Sequence, residues 1–149
     1  MTKPSYDAER VDAFIGRVGL VPVTEFVQAL IDLHEWPNMN PDFKERWLLD
    51  LSTAKQGRGT LRSLNCGEPT YCCLGRAVIV AGGEFVFDTD GTYSCGMLGG
   101  VQLTLMEYLD EPFAEAELGI DYATMRVLAR INDRSEDFGH VMRFIREAL

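Results

Sequence analysis

The sequence predicts an α+β fold: one predominantly helical domain with a single β-hairpin at about residues 84–95. Three observations predict it. Apolar residues recur at helical spacing in several separate segments. One stretch, Phe85 to Cys95, reads as two short strands around Asp90-Gly91. The 149 residues, 46% hydrophobic and 25% charged, have the size and composition of one ordinary globular domain. A domain of this size buries about 68–70% of its unfolded surface and needs no staple. Disordered, collagen-like and low-complexity classes are excluded on composition. No apolar run approaches the roughly 20 residues of a membrane span, so no membrane contact is expected. Met1 to Asp7 has no apolar leader core, so neither export nor an oxidising compartment is expected.

The elements follow in order. Ser5 is placed to cap a first helix with Val11, Phe14, Ile15 and Val18 inward and Gly19 as its stop. Thr24 is placed to cap a second, with Phe26, Val27, Leu30 and Ile31 inward, ending before Trp36-Pro37. Residues 1–37 thus form an N-terminal helical pair packed into the same domain. Asn40-Pro41-Asp42 is a strong helix start, and Phe43, Trp47, Leu48 and Leu51 follow as its stripe. Residues 52–70 show no periodicity and read as a long loop, a class that is often functional. Thr70 is expected to cap a helix at 71–81, apolar nearly all round and therefore central and buried, ended by Gly82-Gly83. The hairpin turns at Asp90-Gly91, which suits a type I′ turn. Asp88-Thr89-Asp90-Gly91 also echoes a calcium loop, but the glycine comes early and no closing glutamate follows. A helix at about 100–109, an irregular acidic stretch around Pro112 and a helix at about 122–132 come next, the last with Met125, Leu128 and Ile131 inward. Ser135 is expected to cap the final helix, with Phe138, Val141, Met142, Ile145 and Leu149 inward and His140 at the boundary. The expected core is Trp47, Leu74, Val78, Leu128, Phe138, Val141 and Ile145.

Charge is unevenly distributed. The net charge is −9, and residues 83–122 hold nine acids with no Lys or Arg. Residues 51–67 are the reverse: Lys55, Arg58 and Arg62, with no acid. An acidic chain is poorly suited to the phosphate backbone, so duplex DNA is not an expected partner. An acidic side serves solubility, and it also suits docking on a basic partner. Glu107, Asp110, Glu111, Glu115, Glu117 and Asp121 are the candidate partner-binding residues.

Of the four cysteines, Cys66, Cys72, Cys73 and Cys95, none forms a C-x-x-C pair, and His34 and His140 are not at finger spacing. No metal and no cofactor are expected. Lys55-Gln56-Gly57-Arg58-Gly59-Thr60-Leu61-Arg62 combines glycines, which let a ligand approach the backbone, with cations that grip an anion. It is not a Walker loop. Lys55, Gln56, Gly57, Arg58, Gly59 and Arg62 are the candidate ligand-binding residues for a small anionic or nucleotide-like molecule. The start of the 71–81 helix is expected to add N–H groups and a positive dipole end. Cys72 and Cys73 lie in that first turn, where a thiolate is stabilised and a nucleophile can arise. No base is identifiable for one, and both are expected to be structural.

Trp47, then Lys55-Gln56-Gly57-Arg58-Gly59-x-Leu61-Arg62, then Tyr71-Cys72-Cys73-Leu74-Gly75, then Leu128-x-x-Ile131-Asn132-Asp133 with Phe138 and Ile145, resembles a widespread family of small phage and prophage proteins. The resemblance covers about residues 45–149, within a family core taken as 38–149. Tyr-Cys-Cys-Leu-Gly is its most specific part. Arg76-Ala77-Val78-Ile79 stands where the family pattern has Val-Leu-Cys-Asp, so a third cysteine and an aspartate are absent. The resemblance implies a phage-encoded protein acting in the host bacterial cytoplasm. It implies no family chemistry.

Three functions are therefore expected, in order. The first is a non-enzymatic phage accessory protein that inhibits a host defence or regulatory system by binding a host protein through its acidic surface. The second is capture of a small nucleotide-like signal by the 55–62 loop. The third is a cysteine-dependent enzyme using Cys72 or Cys73.

Overall fold

Asn40-Pro41-Asp42 starts a helix as its residue types require. In the structure, a computed structural model, the Asn40 side chain accepts the Asp42 N–H at 3.1 Å and Pro41 takes the first helical position. The structure describes residues 13–17, 21–33, 35–54, 56, 62–65, 68–87, 93–98, 101–103 and 114–149. Within them the fold is mostly helical. The helices are α1 (13–17), α2 (Val23–Leu33), α3 (Pro41–Leu51), α4 (Cys73–Val80), α5 (Tyr122–Arg134) and α6 (Gly139–Ala148). The strands are β1 (Arg62–Asn65), β2 (Glu68–Tyr71), β3 (Glu84–Phe87), β4 (Tyr93–Leu98) and β5 (Val101–Leu103), and a π-helical turn spans Ala114–Leu118.

The helices bury the stripes that their spacing marks out. Phe26, Val27, Leu30 and Ile31 of α2 join Phe43, Trp47 and Leu51 of α3 in one core with Leu74, Val78, Leu128, Phe138, Val141 and Ile145. All seven expected core residues are there. Phe14 and Ile15 of α1 are half-buried against the same core. Each fully buried Phe contributes about 2–3 kcal/mol relative to exposure. Two core aromatics do not follow from the periodicity. Trp36 lies beyond the end of α2, and its indole N–H donates to Leu30 O at 2.8 Å. Phe144 of α6 meets it edge-on, the ring centroids 5.1 Å apart. Edge-to-face pairing adds to area burial, which makes this pair the pin between the α2 exit and α6.

Arginines fasten the N-terminal segment to the last two helices. Arg143 of α6 donates to Thr24 O at 3.3 Å and to the Gln28 side chain. Arg134, at the end of α5, donates to Val21 O and lies 4.3 Å over the Phe26 ring.

Several expected boundaries move. Helix α2 begins at Val23, with the Phe26 N–H bonded to Pro22 O, so Thr24 is inside the helix and not its cap. Ser135 does not cap the final helix. Helix α5 runs on to Arg134, and the Ser135 hydroxyl donates back to Ile131 O at 2.6 Å. Asp137 serves α6 instead, accepting the Gly139 N–H at 2.8 Å. Thr70 lies in β2, and α4 is capped by Cys72. Helix α4 ends at Ala81 with Gly82 at φ +88°, a conformation that favours glycine.

The strands depart most from expectation. The 52–70 stretch is not all loop: β1 and β2 pair antiparallel, with Arg62 opposite Tyr71 and Asn65 opposite Glu68. Each strand has four residues without apolar alternation, and Pro69 masks β2, since proline is tolerated only where no ladder donor is needed. Where a single hairpin is expected, residues 84–87 and 93–98 pair within a larger sheet. Strands β3, β4 and β5 form an antiparallel three-stranded sheet with a register shift between Val86 and Phe87. Val101–Leu103 is therefore strand where a helix at 100–109 is expected. Three residues are too few for any period to show. The Asp90-Gly91 turn and the rest of 104–113 lie outside the described residues.

Candidate functional site

The segments that carry the signature converge on the start of α4. Trp47 reaches it from α3, Gln56 from the segment after α3, Cys72 and Cys73 form it, and Asn132 arrives from the last turns of α5. Trp47 is fully buried, and its indole N–H donates to Cys73 O at 3.0 Å. The Cys73 N–H donates to Asn132 Oδ1 at 3.1 Å. Asn132 is itself fully buried, and its carbonyl accepts the Gln56 side-chain N–H at 2.5 Å and the Ser135 N–H at 3.2 Å. Gln56 also bridges to Tyr71, which pairs with Arg62 on its other side.

These bonds join two helix ends of opposite sign. The N-terminus of α4 presents orphan N–H groups, and the C-terminus of α5 presents orphan carbonyls. Asn132 serves the first with its side chain and offers its carbonyl to Gln56. Asn132 thus caps α4 from the end of α5, a role that sequence reasoning missed. Its one legible signal is the Ile131-Asn132-Asp133 run itself, a buried polar residue within an apolar stripe.

The expected ligand cradle is changed by this. At the start of α4, donors that a ligand would use already have protein partners. Besides the Cys73 N–H, the Gly75 N–H is taken by Cys72 Sγ at 3.5 Å. Cys73 is fully buried and Cys72 is 4% exposed. Of the candidate ligand residues, Gln56 is turned inward as a tether. Its Oε1 is buried without a hydrogen-bond partner among the described residues. Arg62 is placed by its backbone in β1. Lys55, Gly57, Arg58 and Gly59 lie outside the described residues.

Both thiols sit in surroundings that disfavour the thiolate. Burial pushes the Cys72 thiol up to about 11, outweighing the backbone N–H bonds that pull it down. Burial also raises Cys73 well above the ordinary thiol value, with the neighbouring Cys72 and Asp133 adding to the rise. A cysteine nucleophile needs the opposite shift. The Cys73 S–H instead donates to Leu128 O at 3.7 Å. His140 is half-buried on α6, and His34 lies outside the described residues. Among the described residues no group of three or more His, Cys, Asp or Glu is placed to hold a metal ion.

Arg76 makes an anchor of its own. Its Nε and Nη2 donate to Asp50 Oδ2 and Oδ1 at 2.8 and 2.5 Å, a bidentate pair that ties α4 to α3. Its guanidinium lies 5.5 Å over the Tyr71 ring.

The acidic candidates fall elsewhere. Glu115 and Glu117 are exposed on the π-helical turn, while Ala114 and Leu118 hold its inner side in the core. Gly119 follows at φ +77°, so close to Asn40 that a Cβ would lie 3.2 Å from the Asn40 nitrogen. This close approach lets Asn40 N donate to Leu118 O at 2.8 Å, fixing the turn against the start of α3. Neither Glu115 nor Glu117 meets an ion-pair partner among the described residues. Asp121 is exposed and has a structural role as well. Its Oδ1 caps α5, accepting the Thr124 N–H at 2.8 Å and the Thr124 hydroxyl at 2.6 Å. Glu107, Asp110 and Glu111 lie outside the described residues.

No family model, curated protein or solved structure matches the chain. Among the described residues, no helix is long and apolar enough to cross a membrane.

Proposed function

We propose that this protein is a non-enzymatic binding protein that docks on a basic surface of a host protein through the acidic 83–122 segment. The observation that carries the reading is the pair Glu115 and Glu117. Both are exposed, carry no ion pair among the described residues, and sit on a turn whose inner side is anchored in the core. Charges on a turn anchored in the core can steer a partner toward the surface that bears them. The segment that bears them contains no cation to cancel them. The phage setting, the bacterial cytoplasm and inhibition of a host defence or regulatory system rest on the resemblance of the Trp47, Lys55–Arg62, Tyr71–Gly75 and Asn132-Asp133 signature to small phage proteins.

The raised thiols argue against the cysteine-enzyme reading. The ligand-capture reading loses one of its two supports, because the donors that it needs at the start of α4 bond to Asn132 and Cys72.

Capture from bacterial lysate tests the proposal. The wild-type protein is compared with the variant carrying Asp110→Lys, Glu111→Lys, Glu115→Lys and Glu117→Lys, in steps of rising salt. The expected result is a host protein retained by wild type, released as salt screens charges over about 8 Å at physiological strength, and absent with the variant. Equal retention by both at low salt removes the acidic surface from the account.

A further inference from the structure

We draw no further inference here: the strongest candidate, the buried Gln56 Oε1 left without a donor among the described residues beside the start of α4, belongs to the site already described, and nothing in the structure shows what would cover it.

Discussion

The start of α4 and the π-helical turn treat polar groups in opposite ways. At α4, Trp47, Gln56, Cys73 and Asn132 are drawn inward and bonded to one another across four segments of the chain. At the turn, Glu115 and Glu117 point into solvent with no ion pair among the described residues. A buried polar group left unpaired costs about 1–3 kcal/mol, so the first arrangement is dictated by folding. Exposed carboxylates cost almost nothing to leave alone, so the second is open to a partner. The lesson is that the most distinctive motif in the sequence is its architecture, and the less distinctive acidic stretch is the better candidate for recognition.

The contrast predicts a graded series of effects. The largest belongs to Trp47. Trp47→Ala should cost about 3–5 kcal/mol, because it opens a cavity and also strips the Cys73 carbonyl of its donor. Urea denaturation followed by circular dichroism reads this directly. A loss under 1 kcal/mol would mean that the α4 start is not held as described.

Cys72 gives the next effect, and it appears only at high pH. Its folded value of about 11 lies above the ordinary 9.0. Below pH 9 the thiol is protonated in both states and its contribution is fully present. As pH rises from 9 through 11 the unfolded chain gives up the proton first, so stability falls, by on the order of 3 kcal/mol at the limit. The stability gap between wild type and Cys72→Ala should therefore narrow between pH 8 and pH 10.5. A gap that stays constant contradicts a buried thiol.

Gln56 sharpens the comparison further, because its two side-chain atoms pull in opposite directions. Gln56→Glu removes the donor to Asn132 O and sets a carboxylate against a carbonyl, and should cost about 1–3 kcal/mol. Gln56→Met keeps the shape and removes the unpartnered Oε1 together with the donor, and should fall within about 1 kcal/mol of wild type. The thermal midpoints of the two variants in the same buffer decide it. Equal midpoints would show that the inward amide is not the tether.

Most of the helical core was legible in the sequence because helix burial is periodic. Phe26 to Ile31, Phe43 to Leu51 and Val141 to Ile145 announce their inward faces by spacing alone. The Asn40-Pro41-Asp42 start was legible because cap, proline and acid each act locally. What was not legible depends on partners distant in sequence. Asn132 is a cap for a helix that begins 59 residues earlier. Trp36 finds Phe144 from the far end of the chain. Ser135 has the residue type of an N-cap, but its hydroxyl bonds backwards, a choice set by where α5 stops. The short strands of 62–71 and 101–103 have too few residues for alternation to rise above chance. In the candidate site the sequence assigned the α4 start to a ligand, and the structure gives two of its N–H groups protein partners instead. Free N–H groups at a helix start are a local expectation, and the tertiary arrival of Asn132 takes up the one on Cys73.

The smallest expected effect on stability comes from the acidic turn, and it supplies the decisive contrast. Glu115→Lys with Glu117→Lys should change unfolding free energy by no more than about 0.5 kcal/mol, as for surface residues without a fixed partner. Set beside Asn132→Ala, it tests the division between architecture and recognition in one assay: partner retained from lysate at low salt, per mole of folded protein. The account predicts that the folded fraction of the Asn132 variant retains the partner as well as wild type does, while the Glu115/Glu117 variant stays fully folded and loses it. Retention by the Glu115/Glu117 variant, or loss by a fully folded Asn132 variant, would contradict it.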